Sequence, residues 1–80
     1  MDELIGFVSS NDKRDRILGI LGHHGTLDRE LIAKRARMIP LTSGKILEEL
    51  QEKGLVEEKD GSFSLTETGT EVENKMKGLR

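Results

Sequence analysis

The chain has 80 residues, a formal net charge of −2, no cysteine and two aromatic residues, Phe7 and Phe63. This length corresponds to one small domain, and the lack of cysteine excludes disulfides, thiolate metal sites and a cysteine nucleophile. Two aromatic rings are too few for a surface that holds single-stranded nucleic acid by stacking on its bases. No apolar run could span a bilayer, and the acidic start lacks the basic segment of a signal peptide, so we expect a cytoplasmic protein without membrane contact.

The charges are distributed unevenly along the chain. Residues 1–12 carry three acidic side chains, whereas residues 13–45 carry eight basic and three acidic ones, a net charge of +5. Residues 46–80 carry five basic and nine acidic side chains. The overall charge therefore hides a basic middle segment, and such a segment attracts polyanions.

Two helices are predicted before residue 26. The apolar spacing of residues 4–8 predicts a short helix that ends near Asn11, where a second helix can begin. Residues 17–21 give the second helix a broad apolar stripe, and Gly22 and Gly25 predict its end.

The pair His23-His24 lies at the predicted end of the second helix. Adjacent residues point in different directions and no further cluster of metal ligands accompanies them, so we expect no metal site. We interpret these histidines as helix-terminal residues whose protonated form interacts favourably with the helix dipole. No set of nucleophile and base and no phosphate-binding loop is recognisable, so we expect neither catalytic residues nor a cofactor.

Two helices joined by a short turn are predicted in the basic segment. Thr26-Leu27 is a candidate short strand, and Asp28 can cap a helix with Leu31 among the residues of its apolar side. After a turn at residues 37–39, Pro40 can begin the next helix because its missing N–H would have no partner there. One face of that helix is predicted to be buried, and it consists of Ser43, Ile46, Leu47 and Leu50.

A hairpin and a last helix complete the predicted order. Residues 55–65 form two alternating runs around Asp60-Gly61, a strong hairpin signal. Thr66 can then cap a helix in which Val72, Met76 and Leu79 recur at helical spacing. The order helix, helix, short strand, helix, helix, hairpin, helix predicts a mainly α fold with a small β-hairpin, a winged helix-turn-helix domain spanning residues 1–80.

Two segments of the sequence resemble a known family. Residues 46–56, ILEELQEKGLV, are similar to the end of the recognition helix in the small prokaryotic winged helix-turn-helix transcriptional regulators of archaea and bacteria. Residues 63–69, FSLTETG, are similar to the junction between the wing hairpin and the final helix of that family. The resemblance covers roughly residues 13–78 and implies sequence-specific binding to double-stranded DNA, usually by a homodimer that represses or activates transcription.

Candidate base-reading residues lie where the recognition helix begins, because that end enters the major groove in a helix-turn-helix. Thr42 and Lys45 can bond base edges or phosphates, and Leu41 can touch a thymine methyl group. Gly44 would let the helix lie close to the sugar-phosphate backbone. An ordinary helix start with a solvated lysine explains each residue alone about as well.

Candidate phosphate contacts are Lys34, Arg35 and Arg37, with the two arginines favoured. A second set near the start of the second helix, which a solvated surface explains equally well, comprises Lys13, Arg14 and Arg16.

The predicted wing departs from a DNA-gripping pattern. Lys59 and Ser62 are its candidate contacts, but Glu57, Glu58 and Asp60 surround the lysine and would repel phosphate. The alternative function is therefore a protein-interaction module that docks a basic partner on the acidic wing and the distal surface of the recognition helix.

The terminal helices, within residues 1–10 and 66–80, are candidates for dimerisation. The first of them carries Leu4, Ile5, Phe7 and Val8, more apolar surface than so short an element usually buries alone. We expect a two-fold dimer that places two recognition helices about one duplex turn apart.

Overall fold

A computed structural model describes residues 1–80 and contains five helices and three strands. The helices are α1 (Asp2–Ser9), α2 (Asp12–His24), α3 (Arg29–Ala36), α4 (Pro40–Glu52) and α5 (Glu67–Leu79). The strands β1 (Leu27–Asp28), β2 (Val56–Lys59) and β3 (Ser62–Leu65) form an antiparallel sheet in the order β1-β3-β2. The predicted fold class and element order are confirmed. None of the helices is both long enough and apolar enough to cross a membrane.

Side-chain caps fix the start of three helices. Asn11 caps α2, Asp28 caps α3 and Thr66 caps α5, and each accepts a backbone N–H at 2.8, 2.8 and 2.9 Å respectively. Each such cap satisfies a donor that the first helical turn leaves free, which stabilises a helix by about 1 kcal/mol. α4 has no side-chain cap and begins at Pro40, as the sequence predicts.

The hairpin turns at two residues with positive φ, Asp60 at 53° and Gly61 at 82°. Both central residues of a type I′ turn need this left-handed conformation, and the turn's twist matches that of the two strands. Lys59 and Ser62 are paired directly beside the turn, so the loop has two residues and the register is fixed.

The core lies around α2 and the central strand β3. α2 contacts the four other helices and β3, and Phe63 on β3 is completely buried. The predicted inner face of α4 is confirmed, since all four of its residues are buried. The other fully buried large apolar side chains come from every part of the chain and include Val8, Ile17, Leu18, Ile32, Leu47, Leu50, Leu55 and Val72.

Two sequence-based expectations about packing are wrong. Gly22 lies inside α2 rather than at its end, and a β-carbon there would come 2.7 Å from Cγ of Glu73. This glycine therefore makes room for α5. Leu31, assigned to the apolar side of α3, is 39% exposed, because Ala33 completes the buried side of that helix. Val72 and Met76 of the predicted α5 stripe are buried, whereas Leu79 is 69% exposed in the single chain.

Arg80 links a buried carboxylate of α5 to α2. Glu73 is almost completely buried and accepts two hydrogen bonds from the Arg80 guanidinium, each of 2.8 Å. Arg80 also forms an ion pair with Asp15 of α2. These bonds to Glu73 and Asp15 raise the pKa of Arg80 above its ordinary value, so the guanidinium remains charged and the buried carboxylate stays compensated.

Candidate nucleic-acid interface

The amino-terminal half of α4 presents the four candidate base-reading residues on its accessible side. Leu41 and Lys45 are exposed, and Thr42 and Gly44 are half-buried. The first turn of α4 contains no acidic residue. This end of the helix therefore offers an amine, a hydroxyl and an apolar side chain without a carboxylate among them.

Arg29, at the start of α3, lies against Gly44 of α4. It was not among the contact residues predicted from the sequence. Its guanidinium carbon is 5.1 Å from the centroid of the Phe63 ring, and its Nη1 would be 3.1 Å from a β-carbon on Gly44. Gly44 therefore accommodates the Arg29 side chain. Arg29 is exposed and forms no ion pair, so its charge is available to a ligand. The only signal in the sequence was its contribution to the basic segment.

Lys34, Arg35 and Arg37 border one open depression on the surface, and we call these three residues the basic cluster. All three side chains are exposed, and none is paired with a carboxylate. Arg37 adopts a left-handed conformation with φ 57° and ends α3, and its backbone N–H donates to the Lys34 carbonyl at 3.1 Å. The turn itself thus brings the cluster together.

His24 lies beside the basic cluster, where its surroundings disfavour the protonated form. Desolvation, the Arg35 guanidinium and His23 together lower the pKa of His24 below its ordinary value of 6.5. Since a lowered pKa favours neutral imidazole at neutral pH, His24 adds no permanent charge at the end of α2.

Two cations of the second candidate set, Arg14 and Arg16, form hydrogen bonds to other elements of the fold. Arg14 donates to the Glu49 carboxylate at 3.0 and 3.3 Å, and its guanidinium lies 3.9 Å from the centroid of the Phe7 ring. Arg16 donates to the Ala36 carbonyl at the end of α3, at 3.0 Å. The hydrogen bond from Arg14 lowers the pKa of Glu49, so the carboxylate remains ionised and is neutralised by its partner. One of the acidic side chains of α4 is thereby compensated.

The wing forms a separate and predominantly acidic surface. Lys59 and Ser62 border a depression together with Glu57, Glu58 and Asp60, and it shares no residue with the depression beside the basic cluster. The candidate contacts thus lie in three places: the start of α4, the basic cluster and the acidic wing. Both glutamates lie on the edge strand β2 and are exposed.

Solved structures with the same fold include transcription regulators. Ligand-free NadR has a TM-score of 0.82 and 28% sequence identity, and NadR in complex with 4-hydroxyphenylacetate has a TM-score of 0.80 and 30% identity, each over 86% of this chain. A MarR family transcriptional regulator from Silicibacter pomeroyi has a TM-score of 0.81 and 21% identity over 98% of this chain. The chain has the winged helix-turn-helix fold of these regulators.

This winged helix-turn-helix chain spans about half the length of the solved structures that it matches. It covers 52% and 54% of the two NadR chains and 58% of the Silicibacter pomeroyi chain. No protein-family model and no curated protein matches the sequence. Within the winged helix-turn-helix, α3 is the supporting helix, α4 is the recognition helix, and β2 and β3 form the wing.

Proposed function

We propose that this chain binds double-stranded DNA as part of transcriptional regulation, with the start of α4 in the major groove. The observation that carries the proposal is the basic cluster, whose three exposed cations lie together on the helix-turn-helix without carboxylate partners. Unpaired cations at this position can neutralise phosphates and release the counterions condensed on DNA, which drives association. The family's solved members, described as transcription regulators, support the same function.

The proposed roles separate affinity from sequence choice. Arg35 and Arg37, with Lys34 beside them, contact phosphates and set the position of the domain on the duplex. Thr42 and Lys45 read base edges, and Gly44 lets Arg29 lie over the helix, where its charge adds a further phosphate contact. Lys59 and Ser62 of the wing reach the minor groove only against repulsion from the neighbouring carboxylates.

Fluorescence anisotropy of labelled duplex DNA, titrated with the native chain at low and at moderate salt, tests this function. If the three cations of one basic cluster contact phosphates, affinity should fall roughly 40-fold for a fourfold rise in salt, and more steeply if two clusters bind. An absence of duplex binding at low salt would remove the proposal and favour the alternative, a protein-interaction module with an acidic wing.

Replacing Lys45 with alanine should weaken binding in a sequence-dependent way. The exposed amine at this position can reach a guanine edge, and loss of such a contact costs about 1–3 kcal/mol on a preferred site. Binding to unrelated duplexes should change much less. Lys53→Ala is the matched control, since Lys53 is exposed just past the opposite end of α4. Equal losses on all duplexes would assign Lys45 to phosphate contact instead.

We further propose that residues 1–80 act as one DNA-binding domain and that α1 and α5 pair two copies into a homodimer. α1 packs on α5, and its Leu4, Ile5 and Phe7 remain partly exposed in the single chain, which leaves apolar surface for a partner. A prokaryotic regulator of this kind works in the cytoplasm, where its DNA is.

Sedimentation equilibrium tests the pairing of two copies through α1 and α5. It should give the mass of a dimer at micromolar concentration, and a monomer well above that concentration would contradict the pairing.

A further inference from the structure

Two large apolar side chains are exposed at the start of the recognition helix. Ile39 is 65% exposed and Leu41 is 68% exposed, on either side of Pro40. The other large apolar side chains that are exposed are Leu31, which is less accessible at 39%, and Met1 and Leu79 near the two ends of the chain. The pair therefore forms the one strongly exposed apolar patch away from the termini. Nothing in the fold of the single chain requires it.

We propose that Ile39 and Leu41 contact the methyl groups of thymines in the major groove and so make thymine part of the recognised sequence. This inference rests on the proposed function, duplex DNA binding through α4. The thymine C5 methyl is the apolar group that base pairs display in the major groove, and apolar side chains contact it specifically. Two apolar side chains at the end of the helix that enters the groove match that chemistry.

The surroundings of the patch favour DNA as its occupant over another protein chain. Arg37 precedes the patch and Lys45 follows it, both exposed and without an ion-pair partner. The first turn of α4 has no acidic residue, and Glu49 further along the helix is held by Arg14. An apolar patch bordered by free cations complements a groove whose floor carries methyl groups and whose walls carry phosphates.

The local backbone positions Ile39 and Leu41 at the start of α4. Met38 is partly buried against the core, so the turn is anchored immediately before Ile39. Ile39 is extended with φ −69° and ψ 149°, and Pro40 restricts the backbone at the first helical position. Little backbone freedom would be lost when the pair meets the groove, which favours discrimination between bases.

The expected size of the effect follows from burying one methyl group. Such burial contributes about 0.8 kcal/mol, which corresponds to about a fourfold change in affinity for each contacted thymine. Electrostatic contacts to phosphates are unchanged by loss of this methyl, so the effect should not depend strongly on salt.

Uracil substitution tests the inference, because uracil pairs as thymine does and lacks only the methyl. The probe is a labelled duplex selected by the native chain from a random-sequence pool, with its thymines replaced by uracil one position at a time. For the native chain we expect at least one position at which uracil lowers affinity about fourfold. In Ile39→Ala/Leu41→Ala, that difference between thymine and uracil should vanish, because the side chains that contact the methyl are absent. Leu79→Ala truncates an apolar side chain of similar exposure on α5 and should retain the native ratio of thymine to uracil affinity, whatever its effect on dimerisation and overall affinity.

The outcomes separate this inference from the proposed function. If the native chain binds no duplex at low salt, DNA binding itself is refuted. If it binds, but selects sites without thymine or shows the same uracil penalty after Ile39→Ala/Leu41→Ala, only thymine reading is refuted. A double variant that remains folded by circular dichroism but changes its sedimenting mass would show that the patch joins two copies of the chain, and would also overturn the inference.

Discussion

Reversal of both arginines of the basic cluster, Arg35→Glu/Arg37→Glu, should abolish duplex binding at moderate salt. The change removes two exposed cations that have no carboxylate partner and places two anions where phosphates would approach. Each lost phosphate contact reduces the slope of log affinity against log salt by about 0.9, so residual binding at low salt should show a slope shallower by roughly 2 per bound chain. Anisotropy titration over a salt series measures both quantities.

The control for this variant is Lys75→Glu/Lys77→Glu, which makes the same change in net charge on α5. Both lysines are exposed and lie outside the helix-turn-helix. Similar losses in the two variants would show that overall charge, rather than this surface, governs binding, and full affinity in the arginine variant would remove the basic cluster from the interface. Sedimentation of both variants checks that dimerisation is unchanged.

The element order was predictable because each element carries its own local signal. The caps at Asn11, Asp28 and Thr66, the proline at the start of α4 and the Asp-Gly turn act through hydrogen bonds or backbone preferences within a few residues. Such signals are readable without knowledge of the tertiary structure. Apolar spacing then correctly identified the inner face of α4.

Contacts between elements that are distant along the chain were not predictable. Glu49 is one of several acidic residues in the sequence, and only the fold shows that Arg14, 35 residues earlier, neutralises it. A glycine such as Gly22 is typical of a helix end. Its position inside α2 is instead explained by the close approach of Glu73 from another helix. The distance along the chain between the two residues of such a pair is set by tertiary packing, so it produces no periodic pattern in the sequence.

The closeness of the basic candidate residues could be predicted from the sequence, whereas the surroundings of the start of α4 could not. The grouping of Lys34, Arg35 and Arg37 follows from their closeness in sequence at the end of one helix. The position of Arg29 over Gly44 does not, because it requires α3 to cross α4 beside the central strand. Apolar spacing also placed Leu31 inside, whereas the smaller Ala33 takes that place and leaves the leucine exposed.

Gly69→Ala should destabilise the domain more than any other single methyl addition at its glycines. A β-carbon at Gly69 would lie 1.9 Å from the carbonyl oxygen of Leu55, which is backbone and cannot move aside as a side chain would. That carbonyl also accepts the Thr66 N–H at 3.1 Å, and Thr66 Oγ1 donates to the Gly54 carbonyl at 2.6 Å. The new methyl group would therefore separate the start of α5 from the segment between α4 and β2.

The expected loss for Gly69→Ala is about 3 kcal/mol or more, a large share of the free energy of unfolding of a small domain. This corresponds to a fall in melting temperature of roughly 12 °C or more. Gly69 belongs to the segment that resembles the family's wing-to-helix junction, and close packing against Leu55 gives a physical reason for a glycine there. Thermal and urea unfolding, followed by circular dichroism, measure the change.

Gly78→Ala provides the matched control, because Gly78 lies in the same helix with no atom near the added β-carbon. Alanine has the higher helix propensity, so this variant should be unchanged or more stable by up to about 1 kcal/mol. The same substitution in one helix should therefore have opposite signs at positions 69 and 78. Equally small changes in stability at both positions would contradict this prediction. They would show that the contact between Gly69 and the Leu55 carbonyl can relax without loss of the fold.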